Sequence, residues 1–499
     1  GRPAPMAGDG EWRRQPWPQP PPADPAWPGQ PWQPGQPWQA SQPSQPSQPW
    51  QATQPWQAPP PEAGQPAGRA RPALLARDTL AAMRARNWLT SLAAPLVAAI
   101  AVGVAAVVVV GANNGRGSTA PSALSDGFPP ARSAAADFSG GAGRPVEVSA
   151  IAAAGATEVA AGSANRGRAL WVSADGGSTW RRAALTAAAA GLTGNGQLAG
   201  VAHGAAGWLA VGGDSAASGG QPQPAVVGSA DGLTWTVTGS GAPFDGPGRT
   251  DTAAVAAGPG GYVIVGTASA GSRTVAAAWY APGLTGWARA ADAGPGALDG
   301  PGNRAMNAVT ASGRGFVAVG ASGQLPAVWL SGAGRAWTLV TLARPAGAVS
   351  AALDYVAANG GVLAAVGTEV TAAGQRRPFA AVSTDAGAVW TLAPLPLPAG
   401  SAATAGSAAT GSATALTAAG GGFTATGTYG VAGETDVVIW TLAGGTAWTE
   451  AAPQGTGLAG PGMQAITALT ATGATLTGIG FTAASAASEP TIWQSPVRS

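Results

Sequence analysis

Cysteine is absent from the 499-residue sequence, and histidine occurs once, as His203. The first absence removes disulfides, thiolate metal sites, iron–sulfur clusters and cysteine nucleophiles together, and the second excludes a site built from several histidines. Lysine is also absent, so all 25 cationic side chains are arginine. Against 23 acidic residues they leave a formal net charge of +2. That is no field for steering nucleic acid, and apart from a cluster near Arg77 the arginines are scattered. No nucleic-acid partner, cofactor or metal is expected.

What is abundant is small or breaks regular structure: 77 glycines and 44 prolines, too many for one average globular domain. The proline is concentrated at the front. Residues 1–68 are rich in Pro, Gln, Ala and Trp, with QPWQ at Gln30–Gln33, Gln36–Gln39, Gln48–Gln51 and Gln54–Gln57. Proline at this density removes backbone donors and favours extended conformations, so the segment builds no packed core and is expected to be disordered. Two uses remain open for it: a docking tail for cytoplasmic proteins with Trp17, Trp32, Trp38, Trp50 and Trp56 as anchors, or a solvated spacer.

Residues 69–87 change pattern. Leu75, Thr79, Leu80 and Met83 recur at helical spacing among Arg69, Arg71, Arg77, Arg84 and Arg86, which predicts a basic juxtamembrane helix. Residues 88–111 then run from Trp88 to Gly111 without an ionisable group. A helix of that length reaches about 36 Å, enough to cross a hydrocarbon core of about 30 Å. With five arginines before it and only Arg116 close behind, the positive-inside rule places the N-terminus in the cytoplasm and the C-terminal part outside the cell membrane. Residues 112–132 read as a flexible stalk.

From residue 133 to 499 the sequence repeats at intervals of about fifty residues, the length of four short strands with loops. GWLAVGG (Gly207–Gly213), GYVIVGT (Gly261–Thr267), GFVAVGA (Gly315–Ala321), GVLAAVGT (Gly361–Thr368), GFTATGT (Gly422–Thr428) and GATLTGIG (Gly473–Gly480) mark second strands, and GATEVAAGS (Gly155–Ser163) makes a seventh. In Tyr262–Val265 alternate residues face opposite ways and both faces are apolar, so each sheet is buried on both sides. Radial blades satisfy that, with alanine-rich first strands at the narrow axis. The predicted fold is all-β, a seven-bladed β-propeller of four-stranded blades. The last unit lacks a fourth strand, and Ala134–Ser139 is expected to supply it.

Six units turn tightly into a closing tryptophan, Trp180, Trp235, Trp287, Trp337, Trp390 and Trp448, and SADGGSTW at Ser173–Trp180 is the fullest copy. It resembles the Asp-box, S-x-D-x-G-x-x-W, of BNR-repeat, sialidase-like and photosystem-assembly-like propellers. Ser173, Asp175, Gly177 and Trp180 fill the pattern, as do Ser383, Asp385, Gly387 and Trp390; Ser229, Asp231 and Trp235 carry it one residue short. The resemblance implies a folding staple, with the carboxylate accepting turn amides, glycine permitting positive φ and tryptophan filling the gap between blades. A sialidase-like glycoside hydrolase would also need an arginine cluster, a tyrosine nucleophile with a glutamate, and an acid/base aspartate. Only four tyrosines exist, and no motif marks an arginine triad.

A second repeated element is FDGPGR (Phe244–Arg249), LDGPGN (Leu298–Asn303) and LAGPGM (Leu458–Met463), joining one blade to the next on the face where propellers usually bind ligands. Asp245, Arg249, Asp251, Asp299, Asn303, Arg304 and Asp354 are expected near that mouth, with Gln375, Arg376 and Arg377 on a loop of the same face. Either they form a binding rim for a protein or polysaccharide of the cell envelope, or Gly-Pro-Gly is a stiff turn carrying solvated charges. The expected role is a non-catalytic binding or scaffolding module; the alternatives are a degenerate sialidase-like hydrolase and an outer sensor whose tail recruits cytoplasmic proteins.

Overall fold

Strand pairing runs almost wholly between sequence neighbours. The computed structural model describes residues 132–133, 138, 146–186, 196–214, 224–245, 248–398, 410–431, 433–451, 453, 457–483 and 489–497. The tail, the juxtamembrane helix and the transmembrane helix expected within residues 1–111 lie outside them; no helix of the described residues is long and apolar enough to cross a membrane. The strands form six sheets, five holding one antiparallel four-stranded meander and the sixth holding two, joined by a single parallel bridge between Thr435 and Met463. Two sheets carry an extra parallel edge strand, Ala184–Leu185 on Thr234–Gly239 and Ala291–Asp292 on Ala336–Thr341.

The first strands of the seven meanders are Val146–Ala154, Gly196–Gly204, Thr250–Gly258, Arg304–Ser312, Ala348–Asn359, Thr410–Ala419 and Met463–Thr472. Each lies against the next, and the last lies against the first, so they close a cycle. Sheets ordered around a ring of inner strands make a β-propeller.

One local device recurs in every meander. The pairing of first and second strands slips by one residue, leaving Ser149, Ala199, Ala253, Asn307, Asp354, Thr414 and Thr467 as bulges. Beside each bulge, on the second strand, stands a glycine: Gly162, Gly212, Gly266, Gly320, Gly367, Gly427 and Gly480. A Cβ on any of them would overlap the first-strand carbonyl two residues before the bulge, as at Gly320 against Ala305. The glycine repeated in the second-strand motifs is therefore a demand of the bulge. At this level side chains bond across to neighbouring meanders: Gln197 Nε2 donates to Ser149 Oγ, Thr252 Oγ1 to the Gly212 carbonyl (2.7 Å), Asn307 Nδ2 to the Leu353 carbonyl (2.9 Å) and Thr467 Oγ1 to the Val148 carbonyl (2.6 Å).

Four residues before each bulge glycine, the second strand carries a side chain that is all but fully buried. Six are large and apolar or aromatic: Trp208, Tyr262, Phe316, Leu363, Phe423 and Leu476. Tyr262 packs against Gly204 and Phe316 against Gly258, each at the end of the preceding first strand. Third-strand tryptophans Trp279, Trp329 and Trp440 are wholly buried and donate their indole N–H to the carbonyls of Pro243, Ala297 and Pro396 in the incoming connections.

Closure is made by the chain's own earlier segment, upstream of where the sequence placed it. Arg132 pairs with Ile492 and Ser133 with Thr491, so Arg132–Ser133 forms an outer strand of the last meander; of the expected Ala134–Ser139 only Phe138 is among the described residues. The strand thus begins one residue inside the expected stalk. From the expected closing segment Phe138 is fully buried, its ring 5.1 Å from Trp171 and 5.4 Å from Trp180 of the first meander.

Gly320→Ala is expected to lower stability by about 3 kcal/mol through overlap with the Ala305 carbonyl, whereas Gly332→Ala, with open space around its Cβ, should leave the melting curve nearly unchanged. Phe138→Ala should cost about 3–5 kcal/mol in chemical denaturation of the full chain, as expected when a buried aromatic leaves a cavity.

Candidate functional site

Strand pairing divides the loops between two ends of the ring. Turns from first to second strand and from third to outer strand share one end, where the Gly176 amide donates to the Ala156 carbonyl at 2.9 Å. Connections between meanders share the other end with the second-to-third hairpins, as Thr250, at the start of a first strand, pairs with Ala268 near the end of a second.

At the first end the Ser-x-Asp turns have a common bonding pattern. In Ser173–Trp180, Ser173 Oγ donates to Asp175 Oδ1 (2.7 Å) and accepts from the Gly177 amide (2.8 Å). Asp175 also accepts from the Thr179 amide (2.9 Å) and hydroxyl (2.6 Å), and the Trp180 indole donates to the Gly177 carbonyl (3.0 Å). Ser383, Asp385, Gly387 and Trp390 repeat the serine and indole bonds, with Val389 supplying the amide to Asp385. Ser229, Asp231 and Trp235 manage them in the shorter turn through Gly232 and Leu233. The turn at Ser331, which lacks aspartate, keeps the Gly334 amide to Ser331 (2.8 Å) and the Trp337 indole to the Gly334 carbonyl (3.2 Å). Glycine is needed at Gly177 and Gly387, where φ is +83° and +97°.

These bonds set the acidity of the turn carboxylates. The Thr179 hydroxyl, then the Thr179 amide and the Ser173 hydroxyl, hold Asp175 down from its ordinary 3.8 to about 2. Asp231 and Asp385 are lowered too, chiefly by the Leu233 and Val389 amides. Each charge is spent on the turn's own backbone.

At the other end the structure brings the rim residues together in groups. Arg249 Nε meets Asp251 Oδ2 at 2.5 Å. Asp299 and Asn303 tie the LDGPGN loop to the neighbouring hairpin. Arg273 binds Asp299 Oδ1 (3.1 Å) and the Gly300 carbonyl (2.5 Å), while Asn303 Oδ1 accepts the Thr274 amide (2.9 Å). Arg304 is buried, its guanidinium flat against Gly300, and burial lowers its pKa while Asp292 and Asp299 act in the opposite direction. Asp354 stands in a first-strand bulge and accepts from Thr368 Oγ1 (3.2 Å) and Asn307 Nδ2 (3.4 Å). Arg376 and Arg377 open a third strand; Arg377 donates to Gln375 (3.0 Å) and opposes the upward pull of burial on Glu369. Asp245 is exposed, with its amide bonded to the Gly241 carbonyl.

Sequence reasoning missed Arg273, Glu369 and Asp292, which carry no repeated motif; their signal is position, since Arg273 begins a third strand facing the LDGPGN loop. His203 is exposed and rests on the Trp208 ring, centroids 4.6 Å apart. Among the described residues no group of three His, Cys, Asp or Glu is placed to hold a metal ion.

Because Asp175 is lowered in the fold, the stability it supplies is complete above its ordinary pKa and is lost as pH falls through about 2. Asp175→Ala should therefore be less stable than the parent chain at pH 7, and the gap between their urea midpoints should close between about pH 4 and pH 2.

No family model matches the chain, and no curated protein sequence matches it. Among solved structures it is similar to YCF48 bound to a D1 peptide, with 14% identity and a TM-score of 0.43 over 71% of this chain and 94% of that one. It is also similar to the GH74 xyloglucanase of Xanthomonas campestris, at 17% identity and a TM-score of 0.45 over 74% of this chain and 54% of that one. Against the Trypanosoma rangeli sialidase in complex with DANA the identity is 11% and the TM-score 0.37, over 70% of this chain and 55% of that one.

Proposed function

We propose that the chain is a seven-bladed β-propeller held outside the cell by one transmembrane helix and acting as a non-catalytic binding module for a protein or polysaccharide of the cell envelope. A fold does not fix a function, so the reading rests on how polar side chains divide between the two ends of the ring. The Ser-x-Asp turns act as Asp-box staples, their carboxylates committed to neighbouring amides and hydroxyls. The connections at the opposite end carry charges with exposed surface: Asp245 and Arg377 are open to solvent, and the Arg273–Asp299 pair is about half exposed, at 43% and 54%. Such a rim, stiffened by Gly-Pro-Gly and held by loop-to-hairpin bonds, is preorganised for a polar partner.

The tyrosines weigh against hydrolysis. A tyrosine nucleophile needs help to ionise, but burial pushes the phenols of Tyr262 and Tyr429 up, and at Tyr429 Asp436 and Glu450 push the same way. The Tyr262 hydroxyl is engaged with the Gly207 carbonyl at 2.7 Å. Tyr280 lies under the Arg335 guanidinium, 5.0 Å from the ring centre.

Cross-linking on intact cells tests the reading. Asp245→Arg combined with Arg377→Glu should abolish capture of the ectodomain's partners while the chain stays folded, with only a small fall in melting temperature from the like charge beside Glu369, whereas Arg181→Glu, beside the Ser173–Trp180 turn, should leave capture intact. Unchanged capture by the double variant, or turnover of a fluorogenic sialoside by the full chain, would sink it.

A further inference from the structure

At one seam of the ring the buried plug is a carboxyl group. Glu158 stands four residues before Gly162, the position held elsewhere by Trp208, Tyr262, Phe316, Leu363, Phe423 and Leu476. It is fully buried, as its counterparts nearly are. It faces the end of the last meander's first strand, so it sits where the first and last meanders meet. Its Oε1 accepts from Thr472 Oγ1 (3.1 Å) and Thr477 Oγ1 (3.2 Å), while its Oε2 has no hydrogen-bond partner among the described residues. Gly177 closes over Oε2 so tightly that a Cβ there would crowd both Glu158 Oε2 and Gln494 Nε2. Two further polar bonds cross the seam, Gln494 Nε2 to the Gly176 carbonyl (2.6 Å) and Thr467 Oγ1 to the Val148 carbonyl, beside an apolar cluster in which Val148 and Trp171 pack with Ile479 and Ile492.

We propose that this seam is a pH-responsive clasp, closed while Glu158 is protonated and opened locally when Glu158 ionises. The argument is steric and electrostatic. Both forms accept the two threonine hydroxyls at Oε1; the neutral form buries an uncharged group of leucine-like bulk, whereas the ionised form buries a charge whose Oε2 meets no donor among the described residues. Of the groups facing it, Thr472 and Thr477 on the last meander and Gln494 on its third strand are uncharged. The turn carries Asp175, which adds repulsion. Burial first, then Asp175, raises the carboxyl, while the two threonine hydroxyls pull it down. The sign follows: stability from this group is complete below the ordinary 4.5 and is lost as pH rises through the higher folded value. Local opening concentrates here because the first and last meanders of the ring meet at this seam, where the described outer strand pairs at Arg132–Ser133.

Amide exchange read by mass spectrometry on the full chain tests this, with Glu158→Gln as the uncharged reference at each pH. At pH 8 peptides spanning 157–164 and 475–483 should exchange about tenfold faster in the parent chain than in the variant for each unit by which the carboxyl is raised. At pH 4 the two proteins should match, and the peptide spanning 315–322 should match at both. If Glu158→Gln fails to fold, Glu158→Leu serves, since leucine fills this position at Leu363 and Leu476. Equal exchange of parent and variant at pH 8, or an acceleration spread evenly over all peptides, would overturn the proposal.

Discussion

The fold depends on a steric fit repeated around the ring: a second-strand glycine lies flat against a first-strand carbonyl, and the first strand bulges beside it. The extra residue re-aims the inner strand, which must run close to its neighbours at the axis. Alanine in place of that glycine would push the inner strand off its partner and disturb the bonds that Gln197, Thr252, Asn307 and Thr467 make across to neighbouring meanders. The repeat therefore encodes a contact between backbones, and its side chains vary around that contact.

Polar side chains divide along the same geometry. Where third strands turn into outer strands, serine and aspartate accept the turn amides and tryptophan donates to a turn carbonyl. Where one meander passes to the next, charged residues hold loops to hairpins but keep exposed surface. An exposed pair such as Arg273–Asp299 adds little to stability.

A ring closed by its own ends has one seam unlike the others. Across six seams the second strand offers an apolar or aromatic plug; at the seventh it offers Glu158, among hydroxyls and an amide from residues more than 300 positions later. Closure also draws on Phe138, buried between Trp171 and Trp180. Ring integrity therefore rests on contacts between distant parts of the sequence.

Much of this was readable in the residues. The GxxxVG motifs located the second strands, their spacing located the turns, and SADGGSTW anticipated its own bonding, because hydrogen bonds and strand pairing between near neighbours leave a periodic trace. The bulge was also visible as a glycine in every unit, though its cause was not. Tertiary structure decided what has no period: that Arg132–Ser133 pairs onto the last sheet, that Arg273 holds the LDGPGN loop, that Arg304 is buried beneath it, and that Glu158 lies in the closing seam. Each joins residues whose separation is set by how the ring closes, and closure becomes physical only when the first and last strands touch.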